Sequence, residues 1–571
     1  MTFTFKASPA DWVGIAPLVV LIGMALVVML IDLVLPHAGE RSKHTGPANF
    51  AILPIVSLIG VLGTIAATIV VLIQGANPQV FNHMVAADTG TLYAYLLILV
   101  AGALGILLSP AYLKRLNLVH QGEYYALLMF AMAGMMLLAA ATSFLIVFVG
   151  LETFSLALYI LCSFVARRRS SQESGMKYFL LSSFASAFLL YGIALIYAAT
   201  GHTAFSDITA FLKSTHPAHA PLLLMVALGL LTVGFAFKVS AIPFQAWTPD
   251  VYQGAPAPVT AFMSVGTKVA ALVAFVRVFG FLFLSIRDDW MPIIATLAIV
   301  TIVGGNVMAL VQSNVKRLLA YSSITHGGYL LIGIVVGYTL GATAILFYLS
   351  SYLFMNLGAF GVISLLERLD NSGCDVADLR GLWYRRPVVA GLLAFFLLAL
   401  AGFPPMAGFA AKYYIFFAAL QGGHPELLII GVLASILGIY YYLRPIATMF
   451  MMQPEEAAQR DIVPAVAGTP TLPRKANTGP TRRTTGGLAS RGGTAVAVKT
   501  APAKTELVSS AQKATGTNAA ATESTETPDA GKLAGFTWLA LTIAAIGTLI
   551  VGIVLPIWLP NIQQAAQVLL R

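Results

Sequence analysis

Four ionisable side chains stand alone inside long apolar stretches: Glu152, Lys238, Lys268 and Lys412. Glu152 follows the run Phe144-Leu-Ile-Val-Phe-Val-Gly150. Lys412 lies in a stretch with no other Asp, Glu, Lys or Arg between Arg386 and Glu426. A charge at bilayer depth costs about 2.5–3.5 kcal/mol or more, so such residues pair with one another or line an ion path. Desolvation disfavours the ammonium form of a buried lysine, and a nearby carboxylate favours it. A carboxylate that approaches and retreats therefore switches a lysine between holding a proton and releasing it. In that scheme Glu152 modulates Lys238, Lys268 on the next span receives the proton, and Lys412 ends a lateral row. Ser240, Thr267 and Tyr413, close by in sequence, are candidates to hold bridging water. The competing reading is a set of permanent ion pairs, but three lysines face one carboxylate, which leaves at least two without a fixed partner.

Lesser candidates surround this row. Lys177, in Glu173-Ser-Gly-Met-Lys-Tyr178, is either a snorkelling base or an auxiliary link to Glu152. His326, in Tyr321-Ser-Ser-Ile-Thr-His-Gly-Gly328, has the right chemistry for an auxiliary relay, with hydrogen-bonded scaffold as the alternative. Arg277 and Arg444 fall toward the ends of apolar windows, where snorkelling is the default. Cys162 and Cys374 offer neither a disulfide framework nor a metal set.

The elements that position these groups are membrane helices. The 571-residue chain is 58% hydrophobic and 10% charged, against roughly 25% charged for a soluble domain. Apolar windows long enough to cross about 30 Å of hydrocarbon recur from 13–35 to 534–559 and number about fourteen. The fold class is therefore an all-α polytopic membrane protein. Basic residues collect in alternate loops: Arg41 and Lys43, Lys114 and Arg115, Arg167 to Arg169, Lys316 and Arg317, then Arg380, Arg385 and Arg386. These loops are read as cytoplasmic, which puts both termini on the periplasmic side. The net charge of +10 lies in these loops and forms no aromatic-interleaved basic patch, so nucleic acid is not an expected partner.

Prolines interrupt two spans, in Phe235-Ala-Phe-Lys-Val-Ser-Ala-Ile-Pro243 and in Ala401-Gly-Phe-Pro-Pro-Met-Ala-Gly408. Broken helices at matching places in two halves of a transporter point to its site. The breaks are five spans apart, and each lies near a lysine, Lys238 or Lys412. Two inverted five-helix repeats follow as an expectation, 123–285 (helices 4–8) and 290–452 (helices 9–13). Residues 1–122 hold three leading helices, and 533–571 hold a final one. Between them, 453–532 is rich in Thr, Ala, Gly, Pro and Lys and is read as a disordered cytoplasmic insertion. No nucleotide loop, dinucleotide fingerprint, iron–sulfur cysteine set or haem motif is present, so energy must come from an ion gradient or a partner.

The stretch from Phe237 to Phe262, Phe-Lys-Val-Ser-Ala-Ile-Pro-Phe-Gln-Ala-Trp-Thr-Pro-Asp and onward, closely resembles the proton-translocating antiporter-like subunits of respiratory complex I. Gly150-Leu-Glu-Thr-Phe-Ser155 is similar to the family's glutamate motif, and the segment Asn314 to Tyr329 to its second-repeat motif. Within that family, Lys177 to Phe184 and Leu398-Ala-Leu-Ala-Gly-Phe-Pro-Pro405 leading to Lys412 are most similar to the subunit N group of NADH-quinone oxidoreductases. A lysine at 412, where subunit M has a glutamate, agrees. The resemblance covers nearly the whole chain outside 453–532. It implies fourteen helices with two inverted repeats. It implies Glu152 and Lys238 as a coupled pair, Lys268 as connector, Lys412 as terminal lysine and Lys177 as auxiliary. It also implies a bacterial inner-membrane location and no cofactor in this chain. NADH, quinone, flavin and iron–sulfur clusters would belong to the other membrane and peripheral subunits of the complex. A multisubunit sodium/proton antiporter or membrane-bound hydrogenase shares the fold and remains the alternative. Two departures stand out: Gln245 replaces the usual histidine after Pro-Phe, and the 453–532 insertion replaces a short loop.

Overall fold

The computed structural model describes residues 8–35, 48–75, 77–81, 84–116, 121–215, 221–368, 373–451 and 528–553, with isolated positions between 560 and 566. Apart from one short hairpin, the regular structure is helical. An apolar segment without water must satisfy its backbone internally, and a helix does so within one segment. The leading helices are α1 (Pro9–Val34), α2 (Ala48–Gln74) and α3 (Thr89–Arg115). α1 opens on a reciprocal cap, in which Asp11 N donates to Ser8 Oγ and Ser8 N donates to Asp11 Oδ2. The antiparallel strands β1 (Asn77–Val80) and β2 (Val85–Ala87) lie between α2 and α3.

Next come α4 (Gly122–Ala140), α5 (Phe144–Cys162), α6 (Arg169–Thr200), the short α7 (Phe205–Thr215), α8 (Leu222–Val239), α9 (Trp247–Gly254) and α10 (Ala257–Phe275). The remaining helices are α11 (Arg287–Leu310), α12 (Val315–Val336), α13 (Tyr338–Leu366), α14 (Leu382–Arg385), α15 (Pro387–Ala401), α16 (Ala407–Gln421), α17 (Pro425–Met451) and α18 (Pro528–Ile553). Among the described residues, thirteen helices are long and apolar enough to cross a membrane. The remaining sequence window, 389–420, falls on the interrupted pair α15–α16, of fifteen residues each. Residues 453–527 of the expected insertion lie outside the described residues, whereas 528–532 already belong to α18.

The core runs along α10, every residue of which is buried. α12 and α13 flank it and are buried over most of their length. Outer helices such as α1, α6 and α17 expose Leu, Ile, Phe and Tyr, as lipid-facing surfaces do. Between α4 and α5 the backbones themselves approach. A Cβ on Gly150 would lie 2.6 Å from Leu138 N, and one on Gly134 would collide with Phe154 N. Small residues permit such approach in a bilayer, where packing drives helix association. This contact fixes the register of α5 and therefore the place of Glu152.

Both expected breaks are present. α8 ends at Val239, with Ser240 left-handed (φ 63°), and the Ile242–Pro243 bond is cis. α15 ends at Ala401, with Gly402 at φ 88°, and the Pro404–Pro405 bond is cis. Contacts also sort the loops by end. Arg115, Arg168, Lys316 and Glu367 meet at one end, whereas Asp88, Ala139 and Arg277 meet at the other.

Candidate functional site

Lys238, in the last turn of α8, is 2% exposed. Its Nζ donates to Ser155 Oγ on α5 and Ser182 Oγ on α6, each at 2.8 Å. The rings of Phe154, Tyr178 and Phe237 lie 5.1, 5.6 and 5.7 Å away, within cation–π range. Glu152 makes no direct ion pair with Lys238, but it is the charged group whose field reaches that ammonium. Ser155, which accepts from Lys238, lies three residues along α5 from Glu152. Glu152 Oε1, the Tyr159 and Tyr178 hydroxyls and Ser186 Oγ are buried without a hydrogen-bond partner on the helices facing this lysine. Such atoms cost about 1–3 kcal/mol each when dry, and a bridging water would satisfy them.

Lys268, midway along α10, is 1% exposed and donates to the carbonyl and hydroxyl of Ser323 on α12, the latter at 2.5 Å. Tyr352 of α13 donates to the same hydroxyl at 2.9 Å and sets its ring 5.3 Å from the ammonium. The step from Lys238 to Lys268 crosses a tight backbone contact. A Cβ on Gly327 would sit 2.7 Å from Val239 O and 3.9 Å from Lys268 Nζ. One turn from Ser323, His326 is held by Tyr348 at Nδ1 (2.6 Å) and Tyr442 at Nε2 (3.2 Å), and Tyr442 also bonds Ser322. The fields of both Lys268 and Lys412 reach His326.

Lys412 lies on α16, just past the second break. Its Nζ donates to Ala401 O, the last carbonyl of α15, at 2.8 Å and to Ser435 Oγ of α17 at 2.9 Å. A cation at a helix C-terminus satisfies an orphan carbonyl and complements the helix dipole. Tyr329, one turn beyond His326, offers its ring at 5.7 Å. At the first break the Phe237 carbonyl accepts from Ser240 N at 3.1 Å and from Trp247 Nε1 at 3.0 Å. The row thus becomes a series of three buried ammonium groups, each held by hydroxyl or carbonyl acceptors, from α5 and α6, from α12, and from α15 and α17.

Residues 141–438, which contain the whole series, match the family model described as NADH:quinone oxidoreductase/Mrp antiporter, TM. NADH-quinone oxidoreductase subunit N of Chloroflexus aggregans is 42% identical over 449 residues, 78% of this chain and 89% of that protein. The chain belongs to the subunit N family. Subunit N of Trichlorobacter lovleyi is likewise 42% identical, over 77% of this chain and 88% of its own. A chain of respiratory complex I from Thermus thermophilus, solved with bound aureothin, superposes with a TM-score of 0.64 at 28% identity, covering 95% of this chain and 98% of that one. A chain of the Mrp complex from Dietzia shares the fold, with a TM-score of 0.70 at 20% identity over 98% and 97% of the two chains.

Several side chains of this subunit N family member differ from their sequence reading. The hydroxyls that reach the lysines are Ser155, Ser182, Ser323 and Ser435. Ser240 instead takes a bond from Thr248, Thr267 bonds Met263 O, and Tyr413 is 57% exposed. Lys177 does not meet Glu152. It pairs with Glu173 at 2.6 Å and Asp250 at 2.8 Å, and Asp250 also takes Arg317 at 2.6 Å. Burial pushes the Asp250 carboxyl up, but Lys177 and Arg317 outweigh it and hold it below the usual carboxylate range. Arg277 does not snorkel: it is 3% exposed and bonds Asp88, Thr91 and Ala139 O. Arg444 does reach outward, to Gln312 O. Gln245 keeps its side-chain oxygen buried and unpartnered.

One centre escaped the sequence reading. Glu367, at the end of α13, has a side chain with no exposure and accepts from Arg168 at 2.6 Å and Lys316 at 3.3 Å, while Ala257 N reaches its second oxygen at 3.3 Å. The only sequence signal was an acid beside the polar segment after a span, which reads as interfacial.

Proposed function

We propose that this chain is the proton-translocating subunit N of a NADH-quinone oxidoreductase in a bacterial plasma membrane. In this reading NADH oxidation, the flavin and iron–sulfur groups and quinone reduction belong to partner subunits, and this chain moves protons. The observation that carries the reading is the buried series Glu152–Lys238–Lys268–His326–Lys412 running past both helix breaks. Protons pass laterally between ammonium groups through the serine hydroxyls and through water at the unpartnered atoms. Glu152 sets how firmly Lys238 holds its proton, and movement of Glu152 toward or away from Lys238 is the switch. His326, poised between two lysines, connects Lys268 to Lys412. Lys177 pairs with Glu173 and Asp250 and is not a member of the row.

The same reading assigns α4–α10 and α11–α17 to two repeats of inverted orientation. A helix that ends on a left-handed residue at each break, Ser240 and Gly402, supports that assignment. It places the basic loops and residues 453–527 on the cytoplasmic side, and both termini on the periplasmic side. The fold alone also fits a multisubunit sodium/proton antiporter. Purification of the native complex followed by reconstitution separates the two. NADH-driven quinone reduction coupled to proton uptake without sodium is expected. Sodium–proton exchange that proceeds without NADH overturns the proposal.

A further inference from the structure

A pocket of about 700 Å³ opens at the basic end of the bundle. It lies between the end of α3 (Arg115), the end of α13 (Leu365 to Arg368) and the segment Asp378 to Arg386. Leu365, Leu366, Leu379 and Leu382 give it an apolar wall, and Arg115, Arg368, Arg385 and Arg386 line it with positive charge. None of these four arginines forms an ion pair among the described residues. Arg115 donates to the carbonyls of Ser364 and Leu365, and Arg385 to those of Asp378 and Arg380. The two acids lining the pocket are already engaged. Glu367 holds Arg168 and Lys316, and Asp378 accepts from Asp375 N.

Arg386 is near enough for its charge to act on Arg115. Glu367 also attracts Arg115, but it is shared with Arg168 and Lys316, so positive charge outnumbers negative at the pocket, and guanidinium groups match phosphate oxygens through paired N–H donors. Arg386 also precedes Pro387, the first residue of the fifteen-residue α15, whose N-terminal dipole favours an anion. Beside the pocket, Trp383 is 42% exposed, Tyr384 62% and Val388 61%. Exposed Trp and Tyr next to apolar surface mark the headgroup level of a bilayer.

We propose that this pocket binds the headgroup of an anionic phospholipid, with the phosphodiester between Arg115 and Arg386 and the acyl side against the leucine wall. Basic pockets between membrane helices bind such headgroups, and each arginine near the surface contributes about 1 kcal/mol, or roughly fivefold in affinity. The test uses the intact complex, stripped of lipid and returned to vesicles of phosphatidylcholine with or without phosphatidylglycerol. Lipid retained after repurification is then measured by native mass spectrometry. Wild type should retain phosphatidylglycerol over phosphatidylcholine. The double variant Arg115→Gln, Arg386→Gln should lose about 25-fold of that preference, whereas Arg444→Gln, outside the pocket, should keep it. The double lysine variant, which keeps the charge but not the paired donors, should fall between wild type and the glutamine variant. Equal retention in the assembled double glutamine variant overturns the proposal. So does displacement of the lipid by inorganic phosphate alone, which marks a free-anion site, or a cross-link from this pocket to a partner subunit that excludes lipid in the native complex.

Discussion

Replacing Lys412 by methionine separates a proton site from a structural cation. In the folded chain the ammonium makes bonds of 2.8 Å to Ala401 O and 2.9 Å to Ser435 Oγ. A hydrogen bond to a charged group contributes about 1.5–3 kcal/mol. The helix C-terminus adds about 0.3–2 kcal/mol for a cation. Against that sum of about 3–8 kcal/mol stands the cost of burying an unpaired ammonium, which is itself several kcal/mol. Methionine fills the space of the stem and removes both sides of this balance. The chain should therefore fold, insert and assemble, because the net change is small compared with either part. Proton movement through this chain should not survive, because the lysine at the second break is gone. The assay is NADH oxidation in inverted membrane vesicles, followed together with acidification by a fluorescent amine and with complex content by native gel. Assembly at near wild-type level, with fewer protons per electron, is the expected result. Full proton yield per electron in assembled Lys412→Met refutes the reasoning, and so does failure to assemble in both Lys412→Met and Ser435→Ala.

Glu367→Gln should have the opposite profile. It leaves Arg168 and Lys316 buried beside a neutral group and costs about 3–5 kcal/mol, seen as loss of assembled complex on native gels. Gly327→Ala places a methyl 2.7 Å from Val239 O; the α8–α12 contact must open, and thermal unfolding of the complex should begin at lower temperature. The Asp250 cluster gives a pH dependence. A carboxyl held below its ordinary value stabilises the fold above about pH 4 and loses that contribution as pH falls through its folded value. Unfolding scans below pH 4 should thus show wild type converging on Lys177→Met, while at neutral pH that variant keeps proton movement and loses only a small amount of stability.

The row itself was legible because a single charge inside an apolar span has few ways to be satisfied. Lys238, Lys268 and Lys412 are buried as a lone charge in an apolar span must be, and the prolines at 243 and 404–405 marked both breaks. The partners were not legible. Ser155, Ser182, Ser323 and Ser435 look like any serine in an apolar helix, where the hydroxyl usually bonds its own preceding turn. Which of them faces a lysine depends on helix rotation, set by contacts such as Gly134 and Gly150 between α4 and α5. Glu367 was missed for a related reason. Its burial is created by Arg168, 199 residues away, so local composition carries no trace of it. Arg277 misled in the same direction, since its partner Asp88 lies 189 residues earlier. Lys177 misled because Tyr178 does face Lys238 while Lys177 itself turns toward Asp250.

The central claim is that the buried lysines carry the transported proton and do not merely bind helices together. Lys238→Met in the purified complex, reconstituted in liposomes, tests it most directly when protons per electron are measured alongside quinone reduction. The account predicts an assembled complex whose proton yield falls below wild type while electron transfer continues or slows with it. An assembled Lys238→Met complex with wild-type protons per electron contradicts it.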